Sequence, residues 1–394
     1  MPLDVSAVQD ALKTEGRDAW LLYDFQGSNP IAHRMADIGA NGGHLATRRW
    51  FYLIPAQGSP KALVHAIERH NLDHLPGAKA AYAGRAQLED GLKTMLSGLS
   101  RVAMEYSPGN AIPYVSRVDA GTIEMVREAG VDVVTSGDLV QRFDGLWDDA
   151  AIGSHREASD KLYRIKDAAF DAITRRLRDG VPTTEYDIQQ LMASWFSDAG
   201  LVAGSAPNVS AQENSGNPHY LPTADRHRAV GRNELLLLDL WGKCNLPKAV
   251  YADITWVGFT GAQPPERMTR AFSAIVDARD AAVAFVETAA RDGRPVRGFE
   301  LDRAARTVIE RAGYGAAILH RTGHSLGEDV HGNGAHLDDY ETHDERRLMR
   351  GSGFTIEPGV YFDDFGVRTE INVVWGADGP VVTGPLQTAL MSLV

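Results

Sequence analysis

Five residues carry the chemistry this chain can do: Asp239, Asp253, His324, Glu357 and Glu370. Carboxylates and an imidazole, set beside glycines and on β-like runs, form the donor set of a site that binds cations through oxygen and nitrogen. Asp239 is the one acid inside the run Leu235-Leu236-Leu237-Leu238-Asp239-Leu240-Trp241. An ionised carboxylate among leucines either neutralises or finds a cation, unless it sits at a strand end in an exposed hairpin. Asp253 lies in the partner run Val250-Tyr251-Ala252-Asp253-Ile254-Thr255-Trp256-Val257. Two acids on paired strands can point into one cleft, where each raises the other's pKa unless a cation intervenes.

His324 belongs to Gly323-His324-Ser325-Leu326-Gly327, and His331 follows seven residues later. Taken singly, a histidine between glycines reads equally as a turn residue. Glu357 precedes Pro358-Gly359, which turns the chain. Glu370 lies in a β run before Ile371-Asn372-Val373-Val374. Four carboxylates balance two divalent cations, and His324 adds a nitrogen. A two-metal centre, its ions about 3.5–4 Å apart, explains all five residues together. Mainly carboxylate ligands favour manganese and allow cobalt, iron or zinc.

The elements that must position these residues follow from periodicity. The chain has 394 residues, which suggests two domains. Helical spacing of Val5, Val8 and Leu12 predicts a helix over 4–14, and apolar runs predict strands at 20–23, 50–54, 61–67, 102–106 and 131–134. A helix over 117–129 completes an α/β N-terminal domain, assigned to 1–147. The rest, 154–394, is read as the catalytic domain, opening with a helix over 154–178. Arg178-Asp179-Gly180-Val181-Pro182 recurs as Arg291-Asp292-Gly293-Arg294-Pro295, and each is followed by a helical stretch that ends in glycine, at Gly200 and Gly313. The repeat predicts two pseudo-symmetric halves around a cleft. Strands over 234–241 and 250–257 form one hairpin, looping through 242–247. Strands over 353–356 and 367–374 form another, turning at 363–366.

Composition narrows the partners. Forty basic against 52 acidic residues give a net charge of −12, which disfavours a phosphate backbone and hence nucleic acid. Cys244 is the single cysteine, so neither an intrachain disulfide nor a thiolate zinc cluster is available. No apolar run has the length of a membrane span, and the first residues carry no secretory signal pattern. The expectation is a cytoplasmic protein.

The ordered set Asp239, Asp253, His324, Glu357, Glu370 resembles that of the pita-bread metallopeptidases, which include Xaa-Pro dipeptidase (prolidase), Xaa-Pro aminopeptidase and methionine aminopeptidase. The motifs Gly323-His324-Ser325-Leu326-Gly327, Thr355-Ile356-Glu357-Pro358-Gly359-Val360-Tyr361 and Gly366-Val367-Arg368-Thr369-Glu370 resemble the family's own. The likeness runs from about residue 154 to the C-terminus. The preceding domain resembles that of creatinase and prolidase, which argues against a simple methionine aminopeptidase. The resemblance implies an α+β fold: a pita-bread catalytic domain of duplicated α/β halves behind a creatinase-like N-terminal domain. It implies that Asp239 holds one metal, His324 and Glu357 the second, and Asp253 and Glu370 both. Glu357 would accept a proton from the attacking water. His219 would contact substrate, His331 the scissile carbonyl, and Arg368 a proline carboxylate, with Tyr361 near the metals. His336 and His343 match nothing in the family and are expected at the surface. Asp239 and Asp253 are fourteen positions apart, wider than usual for the family, and Trp256 stands where it often has arginine.

The function expected is hydrolysis of an Xaa-Pro bond by a dinuclear metallopeptidase. Because an imide nitrogen donates no hydrogen bond, such a site must act on the carbonyl instead. A dipeptidase is favoured, with Arg368 gripping the free carboxylate. Arg34, His44, Arg48 or Arg49 would exclude longer chains, contributed by a partner subunit in a homodimer. The alternatives are an Xaa-Pro aminopeptidase acting on longer peptides, a creatinase-like hydrolase working without metal, and a non-catalytic binding module.

Overall fold

The computed structural model describes residues 3–38 and 46–393. It divides into two compact units, Met1–Asp144 and Gly145–Val394. The first contains α1 (Val5–Glu15), β1 (Ala19–Asp24), α2 (Pro30–Met35), β2 (Trp50–Pro55), β3 (Lys61–His65), β4 (Ala78–Tyr82), α3 (Arg85–Leu96), β5 (Arg101–Met104), α4 (Ala120–Glu128), β6 (Asp132–Thr135) and α5 (Gly137–Val140). Its sheet runs β4-β3-β2-β1-β5-β6 and is mixed, with β1 antiparallel to β2 and parallel to β5. Every residue of β1 and β2 is buried, as expected of central strands covered by helices on both faces. The polar, glycine-rich stretch after β1 holds the short helix α2. Its signal was present: the Asn29 side chain caps the helix and Pro30 occupies its first turn. β4 and α3 were not expected, because four of the five residues of β4 are exposed and its sequence lacks an apolar run. Arg34, Arg48 and Arg49 belong to this unit, and Arg34 pairs with Asp144 at 3.1 Å. His44 lies outside the described residues.

The second unit is built twice. Its first half has α6 (Asp149–Asp179), α7 (Glu185–Asp198), β7 (Leu201–Val202), β8 (Asn208–Ala211), β9 (Leu235–Cys244) and β10 (Ala252–Phe259). Its second has α8 (Glu266–Arg291), α9 (Gly298–Arg311), β11 (Ser325–Leu326), β12 (Gly353–Ile356), β13 (Gly359–Tyr361), β14 (Gly366–Arg368), β15 (Ile371–Gly376), β16 (Gly379–Thr383) and β17 (Met391–Ser392). The repeated glycines end the four helices. Gly180, Gly200, Gly293 and Gly313 all adopt left-handed φ, between 65° and 86°, which a side chain would resist. α6 starts at Asp149, capped by Asp148, rather than at 154. Leu162, Ile165, Ala169 and Ile173 lie on its buried face, packed against β9 and β10. α8 and α9 pack correspondingly on the second half's strands.

Two expected hairpins changed form. β9 continues to Cys244, so Asp239 lies in mid-strand and the strand-end reading fails. The long reach of β9 also accounts for the wide spacing of Asp239 and Asp253. In register, Asp239 faces Thr255 and Asp253 faces Trp241, which puts both acids on one face of the ribbon. The second expected hairpin is two separate pairs. β12 pairs with β15, while β13 and β14 form a small ribbon of their own. Pro358 has no N–H to continue the ladder, and the chain breaks there and again at Thr369–Glu370. Glu357 and Glu370 occupy these breaks.

Gly298, the first residue of α9, lies against the carbonyl of His336. A Cβ there would come within 1.9 Å of that oxygen. Gly298→Ala is expected to cost about 1–3 kcal/mol through overpacking, read as the shift in a chemical denaturation midpoint. An unchanged midpoint would show that the helix and loop separate freely.

Candidate metal centre

The breaks and the ribbon bring the two halves together at one point. Asp253, His324 and Glu370 are buried and offer ligand atoms all within 4.8 Å of one another. Glu357 joins them, its Oε1 at 3.4 Å from His324 Nε2, while Asp253 Oδ2 lies at 3.6 Å from the same nitrogen. Asp239 is tied to the group through Arg368, whose Nη2 donates to its Oδ2. All five residues anticipated from sequence therefore meet.

Local hydrogen bonds set each donor's orientation. His324 Nδ1 lies 3.0 Å from the Ser325 carbonyl, which fixes the proton on Nδ1 and leaves the lone pair of Nε2 facing the carboxylates. The His324 N–H donates to Thr355 Oγ1, and Thr355 Oγ1 donates to Glu357 Oε1 at 3.1 Å. Thr255 bridges the halves: its hydroxyl donates to Glu370 Oε2 at 2.8 Å and accepts from Arg368 Nε at 2.9 Å. Asn372 ties the Asp253 backbone to β15 through both its amide N–H and its carbonyl. None of Thr255, Thr355 or Asn372 stood out in the sequence. The available signal for Thr255 was position alone, two residues past Asp253 and so on the same face.

The donor set fits a cation. Asp253 Oδ1 is buried with no hydrogen-bond partner among the described residues, and such an oxygen is costly unless something positive meets it. Burial pushes the Asp253 and Glu370 carboxyls well above the usual range, and their neighbouring acids push them further. Burial also raises Asp239, against the opposing pull of Arg368. For Glu357, burial acts upward, but His324, His320 and Arg368 together bring its pKa below normal. Imidazole and carboxylates stand 3.4–3.6 Å apart, beyond direct hydrogen bonds, as atoms that share an ion do.

Of the substrate-side residues, His331 stacks edge-on against His324, ring centroids 4.3 Å apart, and opens to solvent on its other side. Desolvation, with His324 and Arg321 beside it, lowers its pKa to about 3, and it is neutral near pH 7. His219 is exposed, on an arm close enough to His331 to contribute to that lowering. Arg368 is 5% exposed, and its Nε, Nη1 and Nη2 donate to Thr255, Tyr361 and Asp239. These bonds use three of its five N–H groups and orient a ligand carboxylate. Tyr361 is placed by the same network: Arg368 Nη1 donates to its Oη at 3.2 Å, and its hydroxyl donates to His320 Nε2 at 2.7 Å. His320 was missed by sequence, although it stands four residues before His324. His336 is fully buried and accepts the Ser325 N–H, contrary to the surface expectation. His343 is partly exposed and pairs with Asp339. Trp256 points away from the acids, with Lys166 Nζ 3.7 Å from its ring centroid, so its departure from the family pattern leaves the donor set untouched.

With no cation bound, Asp253 and Glu370 keep their protons to higher pH in the fold than in the unfolded chain. A raised carboxyl pKa adds stability at low pH that is lost as pH rises through the folded value. Chelated protein is expected to lose stability as pH rises above the ordinary carboxylate range, and Asp253→Asn to lose less. Equal losses in denaturant titrations of the two proteins would contradict mutual carboxylate repulsion.

Comparison with known proteins agrees with this geometry. Residues 157–376 match metallopeptidase family M24. The Xaa-Pro dipeptidase of Lactobacillus delbrueckii subsp. lactis is 32% identical over 215 residues, 54% of each chain. The putative dipeptidase YkvY of Bacillus subtilis (strain 168) is 28% identical over 258 residues, 64% of each. The chain spans about half the length of the first curated relatives it matches. Dipeptidase PepE from Mycobacterium ulcerans superposes with a TM-score of 0.71 over 99% of this chain and 96% of that one, at 22% identity, which shows the fold alone. The duplicated donor-bearing unit is thus a pita-bread catalytic domain, preceded by an α/β N-terminal domain, α+β in class together, and the family implies divalent metal ions. The chain belongs to metallopeptidase family M24.

Proposed function

We propose that the chain is a dinuclear metal-dependent peptidase that hydrolyses the Xaa-Pro bond of dipeptides. One observation carries the reading: two acids from one half and a histidine and two glutamates from the other converge on a buried point that holds more negative charge than its own cations balance. Asp239, Asp253, His324, Glu357 and Glu370 would hold the metals, manganese first, with cobalt, zinc or iron as alternatives. When bound, two divalent cations supply Lewis acidity at the scissile carbonyl and at the attacking water.

The chain's own groups do the rest. Glu357, whose pKa lies below normal, takes the proton of the water on a carboxylate oxygen. Neutral His331 has one ring N–H, which donates to the carbonyl oxygen as charge gathers there. His219 holds the substrate from the exposed side. Arg368 and Tyr361 keep Asp239 in place, a role in which Lys cannot substitute for the three-directional guanidinium. The names of the relatives support dipeptides as substrates. Aminopeptidase action on longer peptides is the second reading; for a dipeptide, the N–H groups of Arg368 not used on Asp239, Tyr361 and Thr255 would receive the proline carboxylate. A cytoplasmic homodimer belongs to the same proposal; among the described residues no helix is long and apolar enough to cross a membrane.

Glu357→Gln keeps the shape and removes the proton acceptor. Hydrolysis of Ala-Pro is expected to fall at least about a hundredfold, with the far-ultraviolet circular dichroism spectrum unchanged. Near-normal turnover would remove Glu357 from the proton step. Parallel assays of Ala-Pro and a longer Xaa-Pro-Xaa peptide decide between the two readings. Higher kcat/KM for Ala-Pro is expected, and the reverse would make the chain an aminopeptidase.

A further inference from the structure

One buried carboxylate holds the arm that carries His219. Glu185, the first residue of α7, is wholly buried. Its Oε1 accepts from the Ala211 N–H at 2.7 Å and from Asn214 Nδ2 at 3.0 Å. Its Oε2 accepts from the Tyr220 hydroxyl at 2.5 Å, from the Arg228 N–H at 2.9 Å and from Asn214 Nδ2 at 3.1 Å. The Glu185 N–H donates to the Arg228 carbonyl at 3.0 Å. The arm is therefore gathered at its start, its middle and its end on a single side chain. Residues 217–228 contain no helix or strand of their own, so these bonds do the work a ladder would do elsewhere.

The second half repeats the device. Asp302, near the start of α9, is also buried. Its Oδ1 accepts from the Thr322 N–H and hydroxyl, and its Oδ2 from the Asp339 N–H. Thr322 in turn accepts from the Glu357 N–H at 2.7 Å. Each helix that follows a repeated glycine thus uses a buried acid to hold a loop of the site. In the second half the loop leads to metal-side residues; in the first it leads to His219.

We propose that Glu185 is a positioning residue for substrate binding: it fixes the 211–228 arm so that His219 is presented to the substrate, and it acts on KM rather than on metal binding or the chemical step. This rests on the reading of His219 as a substrate contact in Xaa-Pro hydrolysis. A carboxylate only accepts, and every partner here donates. Glu185→Gln sets an amide donor against those donors and releases part of the arm.

The test is a double-mutant cycle with a structural readout. Glu185→Gln is expected to raise KM for Ala-Pro about tenfold with kcat within about twofold of wild type, with bound metal unchanged. Added to His219→Ala, it should raise KM no further, because it acts through the arm. Amide hydrogen exchange over 211–228 should quicken without substrate, while α6 and α8 stay as protected as before. Tyr220→Phe, which deletes one of the five bonds, should shift KM and exchange the same way by less, and it carries the test if Glu185→Gln does not fold. Additive KM effects, a fall in kcat at constant KM, or an arm that stays protected would overturn the proposal. If wild type does not hydrolyse Xaa-Pro peptides yet the arm loosens, Glu185's hold on the arm stands and the functional reading fails instead.

Discussion

Four carboxylates gathered beside one another and largely withdrawn from water cannot all stay ionised without compensating charge. Asp253 and Glu370 are buried, and burial together with the neighbouring acids, Asp239 and Glu357 among them, raises their pKa values. A buried ion without a partner costs several kcal/mol. Arg368 is the one buried guanidinium that the described residues aim at this cluster, and its contact is with Asp239. The remaining charge calls for cations from outside the chain, which is what membership of a metallopeptidase family supplies. The architecture follows from this need: two sheets, each with few acids, are closed on one another so that their acids meet.

The seam between the halves is polar. Thr255 joins Arg368 to Glu370, Asn372 joins β15 to the backbone of Asp253, and the Glu370 N–H donates to the Thr255 carbonyl. Each half contributes ligands that are useless alone, so the spacing across the seam decides whether cations can be shared. On the far side of the first sheet, Lys166 of helix α6 lies over Trp256, away from the face that bears the acids.

The donor set was legible because each member breaks a local rule: an acid among leucines, an acid in a β run, an acid before Pro-Gly. The duplication was legible because helix-ending glycines need left-handed φ and recur at a fixed offset. What stayed hidden has a common cause. Thr255, Thr355 and Asn372 are ordinary residues in strands, and only the fold shows which way their side chains point. His320 looked like one histidine among thirteen. Nothing near Glu185 in sequence announces the arm that folds back on it. The hold of Arg368 on Asp239 was hidden because its type suits a carboxylate equally well whether that carboxylate belongs to a substrate or to the protein.

The central claim is that these acids exist to hold two cations and work only with them. Metal content and Ala-Pro hydrolysis, measured together as divalent manganese, cobalt or zinc is returned to exhaustively chelated protein, test it most directly. Binding should reach two ions per chain, with hydrolysis absent at the start and rising as the sites fill. Full hydrolysis by the chelated protein, as a creatinase-like mechanism would give, or no binding at all, would contradict it.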